Sequence, residues 1–128
     1  MLARSDGHLV LSRHPSEAER GRRYVAAACA GFDEEFVLTA TLLTSELITN
    51  ALEHGTGDIT LLVAPISAGV RVDVADASPR PPTPGAPQLE DEGGRGLLII
   101  DSLATAWGTD PLPQGGGKSV WFALLVDH

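Results

Sequence analysis

A chain of 128 residues, 43 % of them hydrophobic, has the length of one domain and enough apolar material for one core. Its formal charge of −8 excludes a nucleic-acid backbone or an anionic membrane surface as the main partner. Cys29 stands alone, which excludes a disulfide framework. With no signal-like N-terminus and no apolar run of bilayer length, the expected location is the cytoplasm.

In chain order, His8 to Arg13 alternates weakly and is expected as a strand. Ser16-Glu17-Ala18-Glu19 has the form of a capping box, with Ser16 as the cap and Glu19 reaching back. It opens a helix through Ala30, where Gly31 suits the stop. Asp33 caps a second helix running to His54 and ending at Gly55, apolar nearly all round and hence largely buried. Ile59 to Ala64 and Val70 to Asp76 read as two strands of a hairpin. In the second strand Val70, Val72 and Val74 share a face, and Asp76 continues that face at its end.

Pro79, Pro81, Pro82, Pro84 and Pro87, followed by Glu90-Asp91-Glu92, mark a long loop. Gly93-Gly94-Arg95-Gly96 then leads into a helix that starts at Gly96 and continues through Leu97 to Leu103. A short strand at Thr105 to Thr109 and a strong one at Val120 to Val126 complete the order β-α-α-β-β-loop-α-β-β. The pattern predicts an α/β (α+β) two-layer sandwich with helices on one face of a mixed sheet.

Glu46, Asn50 and His54 recur every four residues and span only about 80° of the second helix. A carboxylate and an amide on an apolar helix are costly unless paired. Three elements can converge on one ligand. A helix start at Gly96 offers free N–H donors to a phosphate, and its glycines admit close approach. The inward carboxylate of Asp76 suits an exocyclic amine such as that of adenine. Asn50 suits Mg²⁺, and Glu46 suits proton removal from a hydroxyl or water attacking a γ-phosphate. Each has a plainer alternative. The glycine run is an ordinary loop, Asp76 a turn residue, Glu46 and Asn50 an internally satisfied pair, and His54 a helix-end residue interacting with the dipole. Gly117-Lys118-Ser119 is not the end of a P-loop, because Leu112 stands where that motif needs glycine and a strand follows.

In this combination and order the motifs resemble the GHKL ATPase superfamily, the Bergerat-fold domain of histidine kinases, gyrase and Hsp90. The closer likeness is to the stand-alone anti-sigma factor serine/threonine kinases. Glu46 to Gly55 resembles their N box, Asp76-Ala77-Ser78-Pro79 stands in the place of the G1 box, Gly94-Arg95-Gly96-Leu97 matches the G2 box, and Gly117 to Phe122 resembles the final Gly-Thr-hydrophobic box. Two departures stand out: no glycines follow Asp76, and Lys118-Ser119 replaces Gly-Thr.

The resemblance implies a single Bergerat domain over 1–128, with a mostly antiparallel sheet and a Pro-rich ATP lid at 78–93. It implies ATP and Mg²⁺ as cofactors. Asp76 would read adenine, and Asn50 would hold the metal. Gly94, Gly96 and Leu97 would bound the lid at the phosphates, Arg95 would meet the γ-phosphate, and Ser119 would stand near the adenine. Glu46 would be the catalytic base. The implied partners are a sigma factor and an anti-anti-sigma (STAS-type) protein, with no nucleic acid, no membrane and a homodimeric state. The altered G1 box leaves a second expectation, a catalytically weak nucleotide-sensing module that binds a partner.

Overall fold

The computed structural model describes residues 7–78 and 92–126, with 92–97 as backbone only. Its elements are β1 (His8–Leu11), α1 (Glu17–Ala28), α2 (Glu34–His54), β2 (Ile59–Ile66), β3 (Gly69–Asp76), α3 (Glu92–Leu103), β4 (Ala106–Pro111) and β5 (Lys118–Leu125). The strands form one sheet in the order β1-β2-β3-β5-β4. Every described pairing is antiparallel, so the mixed character expected from the element order is absent among the described residues.

The helices form a layer on one side, with α1 against β1 and β2, α2 against β3 and β5, and α3 against α2 and β4. The core lies between the layers. Leu43, Leu47 and Ile48 of α2 are fully buried there with Leu61, Val72, Val74 and Phe122 from the sheet. Strand alternation supplies the inner set: β3 buries Val70, Val72, Val74 and Asp76, and β5 buries Val120, Phe122 and Leu124. The outer sheet face carries a polar cluster instead. There Arg71 sits 4.3 Å from the centre of the Trp121 ring and binds Asp73 through Nε at 2.8 Å. The bond to Asp73 raises the pKa of the Arg71 guanidinium.

Local chemistry explains the helix limits, with two differences from expectation. Asp33 caps α2 as anticipated, its Oδ1 accepting the Phe36 N–H at 2.9 Å. Ser16 makes no side-chain cap bond. Its hydroxyl lies 2.7 Å from His14 Nδ1 instead, and the Glu17 carboxylate braces the preceding turn by accepting the Ser12 N–H at 2.9 Å. That bond pulls the Glu17 carboxyl below its ordinary value. A lowered folded-state pKa stabilises the fold above the ordinary carboxylate range, and the contribution disappears as pH falls through it. Glu17→Gln is therefore expected to melt below the wild type at neutral pH, with the gap closing on acidification in a pH series of thermal melts.

The second difference concerns α2, which is not buried all round. Leu38 and Leu42 are 62 % and 41 % exposed. With α1, α3 and the sheet as its neighbours, the helix keeps one outward stripe in the single helical layer. No helix among the described residues is long and apolar enough to cross a membrane.

Candidate functional site

The C-terminal half of α2 carries Glu46 and Asn50 one helical turn apart. Glu46 is half-buried. Asn50 is 3 % exposed, and no hydrogen bond to its amide is present among the described residues. Its amide oxygen fits a ligand for a hard cation brought in with a phosphate. His54, at the helix end, is exposed and lies 3.8 Å from Glu53.

The end of α2 is held by a residue that sequence reasoning missed. Arg13, from the turn after β1, donates through one nitrogen to the carbonyls of Ala51 at 2.9 Å and Leu52 at 2.6 Å. Its other terminal nitrogen reaches the Gly57 carbonyl at 3.3 Å. Terminal carbonyls of a helix lack intrahelical donors, and a guanidinium satisfies them and complements the dipole. Arg13→Ala is expected to lower stability by about 1 kcal/mol, or roughly 4 °C in Tm, because the site is largely solvent-exposed. Thermal unfolding checks this.

Asp76 ends β3 on the buried face, as strand parity required, and is 4 % exposed. It packs beneath the end of α2, where a Cβ on Gly55 would lie 2.5 Å from its carboxylate. Its Oδ1 accepts the Ser78 N–H at 2.8 Å, an Asx turn that the Ala77-Ser78 sequence forms without a glycine. Both carboxylate oxygens also accept from Lys118 Nζ, at 3.1 and 3.0 Å. The two side chains are 1 % and 3 % exposed, which makes this a closed, buried ion pair. Gly117, at φ +129°, allows the approach, since any Cβ there would collide with the Asp76 carbonyl.

Ser119 does not join this group. In the β3–β5 register Lys118 stands opposite Asp76 and Ser119 opposite Ala75. Ser119 therefore faces the outer side of the sheet, where its hydroxyl donates to Asp73 at 2.8 Å. The expectation that Ser119 stands near an adenine at Asp76 is corrected, because Lys118 holds that place. A signal was present in the sequence: Lys118 shares parity with Val120, Phe122 and Leu124, the buried set.

The glycine-rich segment also differs from expectation. The helix α3 starts at Glu92, not at Gly96, so the glycines lie inside it and packing has overridden their low propensity. Gly94 falls in the first turn, whose N–H groups have no intrahelical acceptor, whereas Gly96 and Leu97 lie further in. The side chains of Arg95 and Leu97 lie outside the described residues, as does the lid segment 79–91. An open groove of about 940 Å³, lined by Phe32, Phe36, Thr39, Leu103 and Leu124, lies at the far end of α2 from Asn50, and none of the candidate residues lines it.

Comparisons with known proteins bear on the fold and the family. The family described as histidine kinase-like ATPase domain matches residues 11–123. An uncharacterized protein of Streptomyces coelicolor is 37 % identical over 71 residues, which cover 52 % of this chain and 68 % of that protein. The histidine kinase domain of a blue-light activated histidine kinase from Erythrobacter litoralis superposes with a TM-score of 0.52 at 19 % identity, covering 97 % of this chain and 69 % of that one.

Proposed function

The chain belongs to the histidine kinase-like ATPase family, and from that premise we propose that it is an ATP- and Mg²⁺-dependent protein serine/threonine kinase acting as an anti-sigma regulator. In this reading it phosphorylates an anti-anti-sigma protein of the STAS type and sequesters a sigma factor, working in the cytoplasm as a homodimer. The observation that carries the proposal is the placement of half-buried Glu46 and buried Asn50 one turn apart on α2. The Asn50 carbonyl oxygen would hold Mg²⁺. When bound, the metal supplies charge neutralisation between phosphate oxygens. Gly94 in the first turn of α3 offers backbone N–H to a phosphate, and the helix dipole favours the negative charge. Glu46 takes the proton of the attacking serine or threonine hydroxyl.

Labelled ATP incubated with this protein and candidate antagonists tests the proposal directly. Label on a serine or threonine of the antagonist supports it. Absence of transfer to every candidate, alongside nucleotide-dependent complex formation, favours the second reading, a nucleotide-sensing module without catalysis. The closed pair of Asp76 and Lys118 is the observation on that side.

A further inference from the structure

Resting on the nucleotide reading above, we propose that Lys118 is the specificity-determining residue at the base end of the site. Its ammonium occupies the acceptors that an adenine amine would need. The protein then holds a nucleotide by its polyphosphate, with little discrimination among bases.

A carboxylate offers about four lone-pair sites. In Asp76 one is used by the Ser78 N–H and two by Lys118 Nζ. The remaining capacity is closed off from solvent, since the pair is almost completely buried. An exocyclic amine is a neutral donor. To reach Asp76 it must displace an ammonium that is paired with the carboxylate as a buried ion, and breaking that pair leaves the ammonium uncompensated. The position of the ammonium follows from the strand register, which sets Lys118 opposite Asp76, and from Gly117, which brings the two strand ends together. The base end is therefore occupied by the protein itself, while metal and phosphate are assigned in this reading to Asn50 and the first turn of α3.

The test is calorimetric titration of the full chain with Mg-ATP, Mg-GTP and Mg-tripolyphosphate, for the wild type and Lys118→Met. The wild type is expected to bind all three with similar affinity. Lys118→Met frees the carboxylate for the adenine amine. It is expected to bind ATP about 10–100-fold tighter, the worth of one hydrogen bond to a charged group, and to leave GTP and tripolyphosphate unchanged. Guanine presents the acceptor O6 where adenine presents its amine, so only ATP gains. If Lys118→Met folds poorly, Lys118→Leu gives the same readout with another side chain that has no donor. A wild type that prefers ATP over GTP and tripolyphosphate by tenfold or more overturns the inference, as does an unchanged ATP affinity in both variants. No binding of any of the three ligands by any of these proteins overturns the nucleotide reading itself, and the inference with it.

Discussion

Glu46→Ala is expected to lower phosphoryl transfer to a protein serine or threonine by about 10²–10⁴-fold, the usual contribution of a general base, while leaving Mg-nucleotide affinity unchanged. The split follows from the positions on α2. Asn50, the metal ligand in this proposal, lies one turn further along the helix and keeps its surroundings. The proton acceptor alone is removed, so the loss appears in the rate of transfer and not in binding. Single-turnover kinetics beside calorimetry separate the two quantities. Equal transfer rates in variant and wild type would exclude Glu46 as the base. A parallel loss of affinity would assign it to nucleotide binding.

The largest expected effect on stability comes from Asp76→Ala. It strands the Lys118 ammonium, 3 % exposed, beneath the helical layer with neither of its two carboxylate acceptors. Removing one partner of a buried ion pair costs about 3–5 kcal/mol, because the remaining charge is left uncompensated. That is a large share of a total stability of about 5–15 kcal/mol. Removing both charges costs much less, since the pair's attraction largely offsets its desolvation. The double variant Asp76→Ala, Lys118→Met is therefore expected to recover most of the loss in urea unfolding. Additive losses across the double-mutant cycle would show that the two groups do not interact.

How much of this was legible beforehand follows from the range of each interaction. The limits of α2 were readable because their signals are local: Asp33 caps the N–H of Phe36, three residues away, and the chain stops at Gly55. The inward turn of Asp76 was readable because strand alternation needs only the three valines before it. The stripe of Glu46 and Asn50 needed only helical periodicity. Lys118 was overlooked because its meaning depends on β5 lying beside β3 in one register, a pairing across more than 40 positions that no local pattern specifies. Arg13 was missed for the same reason, since its carbonyl partners lie 38 and 39 positions away at the end of α2. The start of α3 was misjudged because glycine propensity argued against a helix that packing on α2 sustains. Ser16 makes no cap bond because its hydroxyl is engaged by His14, a contact within the preceding turn.

The strand order has a consequence for how the molecule is made. β5 follows β4 in the chain yet lies between β3 and β4, so it arrives after both neighbours that it must join. Until it emerges from the ribosome, β3 is an open edge whose N–H and C=O groups invite pairing with other chains. α3 and β4 likewise have no sheet to complete. The sheet is therefore completed by an insertion, and the contacts it closes are long-range, the kind that slow folding. The residue at the head of the inserting strand is Lys118. In the nascent chain Asp76 is a solvated carboxylate, and it becomes a buried one only in the step that docks β5.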